Sequence, residues 1–302
     1  MIHSYTLFGL TLESELALPW LPPAAPGAAA DVAIRLATAP LPDGPPGYAG
    51  TPDGTLLTVD KVGRFLIRDG REILVDAADA SARNVRLFLL GSAFGALLHQ
   101  RGLMPLHANA IVLDGRAFAF SGHSGAGKST MAAWFHDSGA PILADDVCVI
   151  GFSREGTPLA YPGLPRLRLW RQALERSGRL ADDYDRSFDD LDKYDVPIGA
   201  EAGAEPVPLA AVYLLAKAEE PAGAGSIRRL TGVAAVDALV SNTYRGGYLR
   251  QIGGAGPHLA ACARIAQVVP VFLAERVWGF DAFDAEAGRL EAHARSLAQG
   301  AR

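Results

Sequence analysis

The stretch FSGHSGAGKST, Phe120 to Thr130, decides how this chain is read. Within it Gly122, His123, Ser124, Gly125, Ala126, Gly127, Lys128 and Ser129 fill the spacing G-x-x-x-x-G-K-[ST]. An apolar strand run precedes them and a helical run follows, the setting that motif requires. Glycines allow backbone angles at which successive N–H groups converge on phosphate oxygens, and the following helix offers the positive end of its dipole. Lys128 would add a full charge near the β and γ phosphates, and Ser129 can place its hydroxyl on Mg²⁺. The loop from Gly122 to Thr130 is therefore expected to bind a nucleotide through its phosphates.

Upstream, ANAIVL and RAFAFSG flank Asp114-Gly115, the two-residue signal of a tight hairpin. The strand entering such a loop usually follows a helix in a βαβ unit. Here it would have an antiparallel neighbour, so a mixed sheet is expected. Downstream, a helix is expected over Lys128 to Asp137, then a strand PILADDVCVI that carries Asp145 and Asp146 inside an apolar run. Two adjacent carboxylates are costly to bury unless they meet a metal or partners. Neighbouring strand residues point to opposite faces, so both serve one site only where the strand bends or ends. One would then hold Mg²⁺ while the other takes a proton from an incoming hydroxyl; the alternative is a solvated pair at a strand end. His107, in MPLHANAIVL, reads by itself as a structural histidine rather than a catalyst.

The chain has 302 residues, 49% of them hydrophobic and 20% charged, enough to bury a sizeable core in one large or two smaller domains. A net charge of −5 spread along the chain argues against a protein built to grip nucleic acid. The N-terminal MIHSYTLFGLTLESELALPW lacks a basic leader and places Glu13 and Glu15 where a signal peptide is apolar, so a cytoplasmic protein is expected. The apolar stretch Leu87 to Leu98 falls short of the roughly 20 residues that span a bilayer and reads as a buried helix. Cys148 and Cys262 stand apart with no CxxC spacing, which supports neither a disulfide framework nor a zinc site.

DVAIRLA, GTLLTVD, GRFLIRDG and REILVDA alternate as strands, and residues 1–78 are expected to form a small β-rich domain. The Pro/Gly/Ala stretches PWLPPAAPGAAA and APLPDGPPGYAG read as loops. Residues 79–302 would form the second domain, opening with a buried helix behind Asp79 or Ser81 that connects the two. Further on come a helix from Arg171, a strand PLAAVYLLA, helices in TGVAAVDALVSNTY and HLAACARIAQVV, a strand PVFLAERV and a last helix over Asp284 to Ala298. Lys193 lies among the aspartates from Asp182 to Asp195, a solvated run or a lid over substrate. Arg245 and Arg250, around a Gly-Gly pair, suggest closure over the nucleotide.

The succession of His107, the hairpin AIVLDGRAFAFSG, GHSGAGKST and ADD before VCVI resembles the HPr kinase/phosphorylase-like serine kinases. The resemblance is close from His107 to Gly151 and loose before it. It implies an α/β fold: a P-loop kinase core with a mixed sheet of the HPr kinase/phosphoenolpyruvate carboxykinase type, preceded by a small β-rich domain. It implies that Lys128 and Ser129 handle the phosphates of ATP and Mg²⁺ and that His107 lies near the transferred phosphate. One of Asp145 and Asp146 would be the base toward a serine hydroxyl; Asp146 is favoured for that role and Asp145, with Ser129, for the metal.

The family's glycine-rich, Glu-containing signature after the Asp pair is missing. Tyr161-Pro-Gly-Leu-Pro-Arg-Leu-Arg-Leu-Trp170 stands in its place, which puts phosphorylase activity and HPr as acceptor in question. With FGLTLESELALPWL near the N-terminus, that segment resembles the shorter HPr kinase-like proteins of ribosomal-peptide clusters, notably the kinases of lasso precursor peptides. The implied reaction is phosphorylation of a serine hydroxyl at the precursor's C-terminus. Arg166 and Arg168 would share a strand face as a pair for a phosphate or peptide carboxylate. Arg168, Arg166, Lys193 and Arg250 are the expected substrate contacts, a peptide or small protein the expected partner, and homo-oligomerisation is left open. A small-molecule kinase, an HPr-type regulatory kinase and a non-enzymatic nucleotide-binding regulator remain as alternatives.

Overall fold

The computed structural model describes residues 1–187, 192–199, 203–218, 225–251 and 254–300. The chain is mixed α/β and divides into two compact units, Met1–Pro105 with Thr243–Ala261, and Leu106–Asn242 with Cys262–Arg302.

The first unit is a sheet with strand order His3–Leu7, Leu10–Ser14, Val32–Leu36, Glu72–Asp76, Gly63–Arg68, Gly54–Val59, Gly47–Thr51. The strands expected between residues 31 and 77 are all present. Gly47–Thr51 is a further strand inside a stretch that reads as loop. Its Tyr48 ring packs 4.7 Å from that of Tyr248, a partner local composition does not show.

The expected helix spans Arg83–Phe88 and Phe94–Gln100 around a wider turn at Leu89–Ala93. It packs on the Gly63–Arg68 and Glu72–Asp76 strands and so belongs to the first unit. The structure thus divides the chain after Pro105 rather than at residue 78, because Leu89, Phe94 and Leu97 are buried against that sheet. Asp79 accepts hydrogen bonds from the Ser81 N–H and hydroxyl, at 2.9 and 2.6 Å, and no side chain caps the helix itself.

In the second unit, Ala108–Leu113 and Arg116–Ser121 form the expected hairpin, with φ of 49° at Asp114 and 72° at Gly115. Both central residues are left-handed, the conformation for which Asp-Gly is suited. Arg116–Ser121 is antiparallel to its hairpin partner and parallel to Val207–Lys217, which is in turn parallel to Val271–Arg276. The sheet is therefore mixed around the strand that feeds the glycine loop. Phe120, Tyr213 and Phe272 stand opposite one another across these three strands and stack at 5.2 and 5.3 Å. This rung contributes about 0.5–1.5 kcal/mol per pair beyond area burial, and it sits two residues before Gly122, fixing where the loop begins.

The single strand expected over PILADDVCVI is broken. Ile142–Ala144 pairs with the hairpin, whereas Cys148–Phe152 pairs with Pro158–Tyr161. Each half bonds a different neighbour, so the chain must turn between them, at Asp145–Asp146–Val147. A smaller sheet of Arg166–Trp170, Lys193–Pro197 and Asp185–Arg186 lies in the same unit. Cys148 and Cys262 are buried and unbonded to each other. Among the described residues no helix is long and apolar enough to cross a membrane.

Candidate active site

Gly122, Gly125 and Gly127 have φ of 142°, 82° and 78°. A Cβ on Gly122 would stand 2.7 Å from the Leu215 carbonyl oxygen, so glycine is required there by space as well as by angle. The helix begins at Lys128 as expected and ends at Asp137. Its first N–H groups have no intrahelical acceptors and are available to an anion. Lys128 is buried, and its Nζ donates to the carbonyl oxygens of Gly122, at 2.8 Å, and His123, at 3.2 Å. Burial lowers the pKa of its ammonium.

The turn at the Asp pair separates the two carboxylates. Asp146 has φ of 62°, and the Val147 N–H closes the turn on the Asp145 carbonyl at 2.8 Å. A non-glycine residue in this conformation is strained, and such strain collects at functional sites. Asp145 Oδ2 accepts the Arg168 backbone N–H at 2.6 Å, while its Oδ1 is buried with no hydrogen-bond partner. Burial, then the charge of Asp146, pushes the Asp145 carboxyl above the ordinary range. Asp146 instead meets Arg168 Nη1 at 3.1 Å and Lys193 Nζ at 3.4 Å. Burial would raise its pKa too, but the charges of Lys193 and Arg168 outweigh burial and hold it low. His107 Nδ1 lies 2.9 Å from the Asp146 carbonyl oxygen, and burial lowers the pKa of that ring.

Arg166 and Arg168 do share a strand face, and both turn to Asp195. Arg166 Nη1 lies 3.1 Å from its Oδ2 and Arg168 Nε 3.3 Å from its Oδ1, which also accepts the Ser187 hydroxyl at 2.6 Å. Burial, then its neighbour Arg168, lowers the Arg166 guanidinium to about 10. The expected substrate arginines are thus engaged within the protein. Asp195 escaped the sequence reading because one carboxylate in an acidic run carries no signal of its partners.

A cavity of about 390 Å³ lies in this unit. Ser124, Gly125, Gly127, Lys128, Ser129 and Thr130 of the loop and helix line it, together with His107, Asp146 and Lys193. Gly122, His123, Ala126, Asp145, Arg166 and Arg168 are not among the lining residues. Arg250 belongs to the first unit and its side chain lies outside the described residues, as do residues 188–191 of the acidic run. The lining residues not expected from the sequence include Trp170 and Trp278, each about half exposed, and Arg276, at the end of the Val271–Arg276 strand. Arg276 hydrogen-bonds the Ala126 carbonyl. Only the parallel pairing of that strand beside Val207–Lys217 brings it to the loop.

Among the described residues no group of three or more His, Cys, Asp or Glu converges as a metal site. Of the oxygen donors, Ser129 and Asp146 line the cavity, and Asp145, next to Asp146 in the chain and bearing the orphaned Oδ1, lies outside the lining. That set fits Mg²⁺ arriving with phosphates, which needs one or two protein ligands, and not a cation caged by protein alone.

No family model matches the chain, and no curated protein does. Among solved structures, the Hpr(Ser) kinase/phosphatase from Coxiella burnetii is similar over 64% of this chain and 97% of its own, at 11% identity and a TM-score of 0.33. So loose an overlap transfers no role to any residue.

Proposed function

We propose that this protein is an ATP- and Mg²⁺-dependent serine kinase acting on a peptide or small protein. The observation that carries the reading is that Lys128, Ser129 and Asp146 line one cavity, with a helix beginning at Lys128 behind a glycine-rich loop. Loop N–H groups and Lys128 would hold the phosphates and stabilise charge on the transferred group. Ser129, with Asp145 beside the site, would hold Mg²⁺, which neutralises phosphate charge when bound. Asp146, ionised and facing the cavity, would accept the hydrogen bond of the incoming serine hydroxyl and take its proton as the serine oxygen bonds to the γ-phosphorus and the bond from that phosphorus to the departing ADP breaks. Its pairing with Arg168 and Lys193 makes it a positioning acceptor more than a strong base.

The acceptor we favour is a ribosomal precursor peptide of the lasso type, modified at a C-terminal serine, with the reaction in the cytoplasm. This rests on the resemblance of the His107–Gly151 and Tyr161–Trp170 segments. Incubation with ATP, Mg²⁺ and either a Ser-terminated precursor or purified HPr, followed by intact-mass measurement, tests it. The expected result is one phosphate on the precursor, absent with Lys128→Ala. A gain on HPr instead would mark a regulatory kinase, and no gain on either despite ATP binding would refute the peptide-kinase reading.

A further inference from the structure

Arg276 is only 4% exposed, yet among the described residues no carboxylate forms an ion pair with it. Its Nη2 donates to the Ala126 carbonyl, and its Nε is buried with no hydrogen-bond partner at all. Glu286, the acidic group whose charge reaches it, is bonded to Arg289. A carbonyl satisfies one N–H of a guanidinium but not its charge, and a buried, uncompensated charge is costly. Arginine does not escape that cost by losing a proton at neutral pH.

The position of this charge suggests what offsets it. Arg276 lines the same cavity as Lys128 and Ser129, and a Cβ on Gly127 would stand 3.2 Å from its Nη2. The guanidinium therefore lies against the last glycine before the helix, where N–H groups already favour an anion. Trp278 lines the cavity as well, with its ring centroid 5.9 Å from Arg276 Cζ, and this contact restrains the guanidinium plane.

We propose that Arg276 is a second cation of the phosphate site and binds an oxygen of the nucleotide's polyphosphate in company with Lys128. The proposal rests on the nucleotide reading above. Its fork of donors suits phosphate geometry, and holding the Ala126 carbonyl keeps that oxygen from facing the ligand.

Calorimetric titration of the full chain with ATP and with tripolyphosphate, alongside thermal unfolding without ligand, tests this on wild type, Arg276→Met and Arg276→Lys. Arg276→Met is expected to weaken both ligands by about tenfold or more, the scale for removing one partner of a desolvated charge pair. Its unliganded unfolding midpoint should stay level or rise, because the variant removes a buried charge that has no ion pair, and Arg276→Lys should recover part of the affinity. A loss under about tenfold in Arg276→Met overturns the proposal. So does a lost affinity accompanied by a lower midpoint, which would mark an arginine that only props the loop. If wild type binds neither ligand, the nucleotide reading itself has failed, a result distinct from both.

Discussion

Nδ1 of His107 stands 2.9 Å from the backbone carbonyl oxygen of Asp146, joining the strand end before the hairpin to the turn that carries the cavity's carboxylate. A carbonyl only accepts, so Nδ1 carries the proton and Nε2 is the acceptor of the neutral ring. Burial, and then the charge of Lys128, keeps the ring neutral by lowering its pKa. His107→Ala should leave the Asp146 carbonyl short of this donor and cost about 1–3 kcal/mol in urea unfolding. His107→Asn, whose amide replaces Nδ1–H, should recover most of that. Equal losses would show that the bond does not hold the turn.

The two aspartates should respond unequally to amidation. Asp145→Asn keeps an oxygen for the Arg168 N–H and removes a charge that burial disfavours, so stability should change by less than about 1 kcal/mol. Asp146→Asn strips the counter-charge from Arg168 and Lys193 and should cost about 1–3 kcal/mol. Turnover on the acceptor should fall by about 10²-fold or more in Asp146→Asn, with ATP affinity little changed. Similar stability losses in both variants would contradict the geometry.

Asp195 should be among the costliest side chains in the unit to remove. Asp195→Ala leaves Arg166 and Arg168 without the carboxylate they share, an expected loss of about 3–5 kcal/mol in denaturant unfolding. Adding Arg166→Met, which removes one stranded charge, should give a double variant less destabilised than the sum of the singles. Strict additivity would mean that the pair contributes no coupling.

The first unit should weaken in mild acid. Burial is the main cause that lowers His99 from 6.5 to about 4, against a hydrogen bond to the Tyr244 carbonyl that raises it, with His258 nearby adding to the fall. The unfolded chain then takes up a proton near pH 6.5 that the folded chain refuses until about pH 4. This stabilisation is intact above about 6.5 and is lost as pH falls toward 4, by up to about 3 kcal/mol. His99→Gln, measured by urea unfolding from pH 7 to 4, should flatten that slope. An unchanged slope would place the acid sensitivity elsewhere, His258 being the next candidate.

Much of this protein is legible before folding. FSGHSGAGKST sets the loop and the helix start, because consecutive residues with local glycine angles need no distant partner. Asp114-Gly115 sets the hairpin for the same reason, and the hairpin brings the mixed sheet. Period-2 alternation marks most strands of the first unit, since a half-buried strand writes its face into its own sequence.

What needed the tertiary structure is everything decided by partners far along the chain. Asp145 and Asp146 are adjacent carboxylates with no local feature to tell them apart; they differ because the strand ends at Ala144 and the turn that follows sets Asp146 on the cavity and Asp145 on the Arg168 backbone. Arg166 and Arg168 read as a free pair, and only the pairing of Arg166–Trp170 with Lys193–Pro197 delivers Asp195 to them. Arg276 is one more charge at a strand end until parallel pairing sets it beside Gly127. A motif fixes the local geometry of its own backbone, whereas the charge a side chain meets depends on which strands pair, and long-range packing decides that.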